Sequence, residues 1–324
     1  MIVYIEKQAL NYSQSKKILL TFKHATIIEI DHYKNVFDKK TAGLNEQKSI
    51  IIAKLTSSAI TEAPAGYGHT KQAYFFKTSL NCVYDCDYCF LKGAFKTEHM
   101  VFFVNYDDIK AQITEKIQEL QNKNIQEDIW FYSSDYSDIQ WMNALSWFNA
   151  EFIEFFEEFE WVKMEIRTKS GNIKSLLDLW FIPKNTEVAF SLNPQILIDH
   201  YESWTATLSE RISAINTLQN AWFKAWIRLL PLLPVQNYKD IYKAFFVELS
   251  EQIKMDSIYS SFAAWLLFTR DDYKTMLKKF PTLDILHYLS LEDDNFYRES
   301  REVRDWFYKE IKLIDKKCLL CLEN

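Results

Sequence analysis

Glycine is scarce in this chain, with 5 residues in 324, where an average composition would give about 23. Rossmann and P-loop nucleotide sites need several glycines packed close together, so neither has support here. Long apolar runs are missing as well. No stretch reaches the length of a membrane-spanning helix, and no membrane association is expected. The opening Met1-Ile-Val-Tyr-Ile-Glu-Lys7 lacks the architecture of a secretory signal. An excess of positive charge is also absent. The chain has 38 basic and 44 acidic residues, a net charge of −6, so any contact with nucleic acid needs a local basic patch. Cysteine is rare, at 5 residues, and clustered. With no secretion signal, a reducing cytoplasm is the expected compartment.

What the chain has in abundance is aromatic residues: 24 Phe, 18 Tyr and 10 Trp. Most belong in a core, and a few are free to stack on a base. Three of the cysteines stand in Cys82-Val-Tyr-Asp-Cys86-Asp-Tyr-Cys89, a C-x₃-C-x₂-C spacing. Thiolates at close spacing select zinc or iron–sulfur clusters. Structural zinc wants four protein ligands, and His99, the nearest fourth donor, fits no common zinc spacing. Three thiolates suit a cubane cluster, which keeps one iron open for a ligand that is not protein.

The C-x₃-C-x₂-C stretch resembles the signature of the radical S-adenosylmethionine (SAM) superfamily. The wider sequence is similar to one branch of it, the spore photoproduct lyase family. The resemblance rests on Tyr74-Phe-Phe-Lys-Thr-Ser-Leu-Asn-Cys82, Cys86-Asp-Tyr-Cys89-Phe-Leu-Lys-Gly93 and Phe103-Val-Asn-Tyr-Asp-Asp108, with a weaker likeness at Tyr4-Ile-Glu-Lys7. It implies a [4Fe–4S] cluster on Cys82, Cys86 and Cys89, with SAM as the second cofactor and an external electron donor. It also implies a thymine-dimer-like DNA lesion as substrate. The runner-up readings are the same cofactors acting on RNA or a peptide, and a non-catalytic iron–sulfur protein that binds nucleic acid.

Residues 1–70 read as a small N-terminal α/β appendage. Its strands are expected at Ile2–Ile5, Thr26–Ile30 and Ser49–Leu55, with a helix at Gln14–Phe22 and a polar loop over Asp38–Gln47. Ala65-Gly-Tyr-Gly68 marks the join to residues 71–324. There strands alternate with helices, the pattern of βαβ units and a parallel sheet. Strands are expected at Ala73–Leu80, Asp128–Ser133, Val162–Thr168, Glu187–Leu192, Lys224–Leu230 and Ser257–Phe262. Helices are expected at Asp107–Asn122, Trp141–Phe159, Asn172–Leu179, Leu208–Trp222 and Tyr238–Lys254. C-terminal helices and a last strand at Cys318–Leu322 follow. The fold class is α/β, a partial, open (β/α)₆ barrel, whose site belongs at the C-terminal ends of the strands. Glu151, Glu154, Glu157 and Glu158 read as a solvated helix face.

Further site residues follow from the resemblance. Tyr88 matches the family's aromatic between the last two cysteines, and Phe90 stands where a tyrosine is usual. Asp135 occupies the position from which many superfamily members hold the SAM amino group, and is equally placed to cap the next helix. Lys169 matches a lysine that contacts SAM. Ser191 and Asn193, closing the fourth strand, carry a hydroxyl and an amide suited to the ribose or carboxylate. The family returns a hydrogen atom from a cysteine on the second-strand loop. That position falls here on Tyr132 or Ser133, and no cysteine lies between residues 90 and 317. Arg228 is a charge inside an apolar strand, for a substrate anion or a barrel carboxylate. Two basic groups are candidates for a DNA footprint: Lys163, Arg167, Lys169, Lys174 and Lys184, then Arg298, Arg301, Arg304, Lys309 and Lys312. Cys318 and Cys321 form a C-x-x-C.

Overall fold

A computed structural model describes residues 1–38, 48–68, 70–125, 127–133, 135–255 and 261–321. The expected loop beyond residue 38, Ser134, residues 257–260 of the expected sixth strand and Leu322 lie outside them.

The eight-stranded sheet carries the site. Six of its strands, β1 (Ala73–Phe76), β2 (Ile129–Tyr132), β3 (Val162–Thr168), β4 (Thr186–Ser191), β5 (Lys224–Leu232) and β6 (Ser261–Trp265), lie side by side in chain order. Every neighbouring pair among them is parallel, as the alternation of strands and helices requires. The sheet curls into a half-barrel. Strand Leu319–Leu320 extends it beyond β6 in parallel, and Ile60–Glu62 closes the other edge in antiparallel.

Side chains along each strand alternate between the barrel interior and the helical layer. The interior set includes Phe75, Trp130, Tyr132, Ala189, Trp226, Phe262 and Ala264. The outward set, such as Tyr74, Phe131, Met164, Val188 and Ile227, joins the main core with the helices. Helix Tyr106–Asn122 shows the matching helical period, burying Ile109, Ile113, Ile117 and Leu120. Helix Leu208–Asn220 starts on the capping box of Thr207 and Glu210.

A second sheet joins Thr26–Ile30, Ile2–Glu6 and Ile50–Ala53 to Met100–Phe103 and Ser79–Leu80. Strands are thus shared across residue 70 in both directions. Segments 79–80 and 100–103 complete the N-terminal sheet, while Ile60–Glu62 joins the barrel sheet. Three helices begin where the pattern did not place them, at Lys34–Phe37, Leu91–Ala94 and Gln195–Tyr201.

The expected long helix over 141–159 is broken. Helix Ile139–Ser146 ends at Trp147 in the left-handed region (φ 55°), a wider turn spans Asn149–Ile153, and the helix resumes at Glu154–Glu157. The wider turn stacks Phe148 on Phe152 (4.6 Å) and brings both over Phe76 on β1. The glutamates of this stretch are not one solvated face either. Glu151 accepts from Lys110 (3.0 Å) and Gln14 (3.2 Å), and Glu157 accepts from the backbone amides of Lys184 and Asn185.

Candidate active site

The cysteine loop leaves the C-terminal end of β1 through Ser79–Leu80. Asn81 takes a left-handed backbone (φ 67°) and its side chain bonds the carbonyls of Thr97 and His99 (2.9 and 3.2 Å). That bend turns Cys82 toward the barrel. Asp85–Cys86 pairs in antiparallel with Glu202–Ser203, and the Cys89 amide bonds the Cys86 carbonyl (3.1 Å). Lys92 clamps the loop by pairing with Asp85 (2.8 Å) and Asp87 (3.2 Å).

Cys82, Cys86 and Cys89 open onto one cavity of 280 Å³ at the C-terminal ends of the strands. Asp135, Lys169 and Ser191 line the same cavity, as do Tyr67, Tyr84, Tyr88 and Arg167. Leu230, Pro231, Trp265, Leu266 and Phe268 form its apolar wall. Among the described residues, no three His, Cys, Asp or Glu side chains converge on a point that would hold a single metal ion. His99, the nearest fourth donor, is spent elsewhere, with its ring Nδ1 accepting from the Ser49 amide (3.2 Å). Three thiols on one cavity suit a cluster that takes three protein ligands. Burial pushes the Cys86 thiol up to about 12 and raises Cys82 and Cys89 as well, so these donors ionise against a bound cation.

Lys169 follows β3. Burial alone would lower its pKa, but the Glu202 carboxylate and the Cys86 thiol prevail and hold it above the usual lysine value. Its Nζ lies 3.9 Å from Glu202 and 5.1 Å from the centre of the Tyr88 ring. Burial raises the Asp135 carboxyl, against the pull of Arg167. The helix cap at this point is Asp138, not Asp135: it accepts from the Trp141 amide (2.9 Å), the Thr168 hydroxyl (2.8 Å) and the Lys169 amide (2.8 Å). One carboxylate thereby fixes the ends of β2 and β3 together.

Two proposed residues sit apart from the cavity. Asn193 is fully buried, donating to Glu202 (3.0 Å) and accepting from the Tyr242 hydroxyl (3.1 Å). Tyr132 lies in the barrel interior with its ring 5.1 Å from Tyr67 and its hydroxyl against Gly68. Arg228 takes the barrel carboxylate of the two partners open to it, Glu165 on β3, and its Nη1 is 3.7 Å from the Cys321 sulfur. Cys318 and Cys321 flank a two-residue strand and fall on opposite faces, one in the helical layer and one in the barrel interior. They share no site.

The basic groups are largely committed. Lys163 bonds Asn185, Lys174 pairs with Asp178, and Arg167 and Lys169 face the cavity. Arg298 pairs with Asp294, Arg301 with Asp305 and Arg304 with Glu292, while Lys312 bonds two carbonyls.

Sequence reasoning missed Glu202. It is 3% exposed and accepts from Tyr88, Asn193 and Arg211 (2.6 Å). Burial pushes its carboxyl up, but Lys169 and Arg211 prevail and hold it down at about 2. No motif surrounds it; only the strand pairing with Cys86 reveals it.

A parallel half-barrel with three thiols, an ammonium and a carboxylate on one cavity at its strand ends defines the radical SAM class. The family model described as spore photoproduct lyase matches residues 1–295. The chain belongs to the spore photoproduct lyase family. Among curated relatives, spore photoproduct lyase of Clostridium acetobutylicum is 25% identical over 254 residues, covering 78% of this chain and 74% of that protein. The Bacillus subtilis enzyme is 23% identical over 258 residues, covering 79% and 74%. The solved spore photoproduct lyase complexed with dinucleoside spore photoproduct superposes with a TM-score of 0.79 at 19% identity, covering 98% of this chain and 97% of that one. A variant of that enzyme with bound AdoMet and dinucleoside spore photoproduct gives a TM-score of 0.78 at 19% identity. No helix among the described residues is long and apolar enough to cross a membrane.

Proposed function

We propose that this protein is a radical SAM lyase that repairs spore photoproduct, a thymine-dimer-like lesion in DNA. One observation carries the reading: three loop thiols open onto the same cavity as Asp135, Lys169 and Ser191. When bound, the [4Fe–4S] cluster and SAM would supply the radical chemistry that removes a hydrogen atom from the substrate. Cys82, Cys86 and Cys89 hold the cluster. Lys169 would pair its ammonium with the SAM carboxylate, Asp135 would accept from the SAM amino group, and the Ser191 hydroxyl would hold a polar group of SAM. Asn193 supports this set from behind, through Glu202. Leu230, Trp265 and Phe268 exclude water from the reacting atoms. Reduction requires an external electron donor, and DNA reaches the cavity from its open side with the damaged bases out of the stack.

A second reading keeps the cofactors and changes the substrate to an RNA or a peptide. The observation favouring it is at the end of β2. Tyr132 and Ser133, the two candidates for the family's thiol position, are both buried and neither lines the cavity.

The test is anaerobic reconstitution with iron, sulfide, reductant and SAM. Production of 5′-deoxyadenosine supports the enzyme, and its absence with an intact cluster overturns both readings. Adding a dinucleotide photoproduct then separates them: restored thymines support the lyase, and their absence alongside continued SAM cleavage leaves the second reading.

A further inference from the structure

The cofactor-facing groups come from four separate chain segments, and one side chain touches most of them. Glu202 belongs to a two-residue strand whose backbone pairs with Cys86, and the neighbouring Tyr201 carbonyl accepts from the Asp87 amide (2.8 Å). Its carboxylate accepts the Tyr88 hydroxyl from within the cysteine loop and the Asn193 amide (3.0 Å) from beyond β4. Arg211 reaches it at 2.6 Å and also donates to the Ser191 carbonyl (2.7 Å). Lys169, from the end of β3, lies 3.9 Å away. Both members of the Glu202–Arg211 pair have 0% side-chain exposure.

A buried carboxylate is costly unless it is hydrogen-bonded and its charge is balanced. Here both conditions are met, and every partner is part of, or leads to, the cofactor cavity. Exposed ion pairs would leave these segments free to shift relative to one another; this one fixes them.

The geometry points to Glu202 as a positioning residue that locks the cysteine loop, Lys169 and Ser191 into one register. It acts through those groups and lines no part of the cavity itself. With Glu202 replaced by Gln, Lys169 loses the anion that orients its ammonium, Arg211 loses its charge partner, and Tyr88 donates to a neutral amide oxygen in place of a carboxylate. The loop keeps all three thiols, so the cluster still assembles. This inference rests on the cofactor reading above.

The test compares Glu202→Gln and Tyr88→Phe with wild type, as reconstituted protein and metal-free protein. In reconstituted Glu202→Gln, iron and sulfide per chain stay at the wild-type level. The dissociation constant for SAM, read from its effect on the reduced cluster's paramagnetic resonance, rises about tenfold, the scale of one charge-assisted hydrogen bond. The cluster's midpoint potential moves positive, because a negative charge beside it is gone. In the metal-free protein, amide exchange at residues 85–89 quickens, which no effect on cofactor chemistry produces. Tyr88→Phe removes a single contact, so it keeps the fold if Glu202→Gln does not, and it raises the dissociation constant about threefold by the same scale. Unchanged SAM affinity and unchanged exchange in a folded variant overturn the inference and leave the cofactor reading standing. Failure of wild type to assemble a cluster overturns both.

Discussion

Arg228 on β5 and Glu165 on β3 form an ion pair in the barrel interior, each with 1% side-chain exposure. β4 runs between their strands, so the pair crosses the interior beneath the cofactor cavity. Arg167 adds a second cation 3.7 Å from Glu165, and the Phe262 ring lies 3.8 Å from the Arg228 guanidinium carbon. Arg228→Leu leaves a buried carboxylate without its main partner and should cost about 3–5 kcal/mol in urea unfolding. Replacing both residues by apolar ones of similar volume should recover most of that loss. A single variant as stable as wild type contradicts this account.

The three loop cysteines and the two C-terminal ones should separate cleanly. Cys82→Ala, Cys86→Ala and Cys89→Ala each remove a cluster ligand, and iron per chain after reconstitution should fall to near background. Cys318→Ser and Cys321→Ser should leave iron content unchanged, because neither residue lines the cavity. Loss of iron in the Cys321 variant would bring that thiol into the cluster site.

Gly68 is sterically required. A Cβ there would lie 2.2 Å from the Tyr132 hydroxyl oxygen and 3.2 Å from its ring carbon. Gly68→Ala should cost about 1–3 kcal/mol by overpacking. Adding Tyr132→Phe removes the nearer clash and should restore part of the stability. Equal losses in the single and double variants would place the strain elsewhere.

The Glu187 carboxyl, 1% exposed in the barrel, is raised by burial to about 9, although Lys224 lies 3.8 Å away and pulls it down. In the unfolded chain it titrates near 4.5. The folded state therefore holds a proton that the unfolded state has lost between these values, and this contribution to stability is present at low pH and declines as pH rises toward 9. Glu202 has the opposite sign. Held at about 2, it contributes stability above pH 4.5 that disappears as pH falls toward 2. Melting temperature against pH should flatten on the alkaline side in Glu187→Gln. An unchanged slope would show that Glu187 ionises in the fold.

The barrel was legible because its signals are local. β3 runs from Val162 to Thr168 as the apolar alternation indicates, and the capping box at Thr207 and Glu210 marks the start of helix Leu208–Asn220. The break at Trp147 was not legible, because a run of phenylalanines satisfies a regular helix and a widened one equally; only stacking on Phe76 selects between them. In the site, Asp135, Lys169 and Ser191, expected from the resemblance, line the same cavity as the loop cysteines. Asp138 was overlooked although it stands three residues from Asp135, since capping depends on which carboxylate meets the Trp141 amide.

The sequence by itself determined the cysteine spacing, the family and the order of the barrel strands, and so a parallel half-barrel with its site at one end. These follow from chain-local patterns of thiols and apolar side chains. The tertiary structure decided which polar residues meet. It gave Arg228 to Glu165, set Asn193 and Tyr132 behind the cavity and placed Glu202 against Tyr88. Such pairings join residues up to 114 positions apart. Their partners are selected by desolvation, since a buried charge must find its counterpart wherever the folded chain brings one.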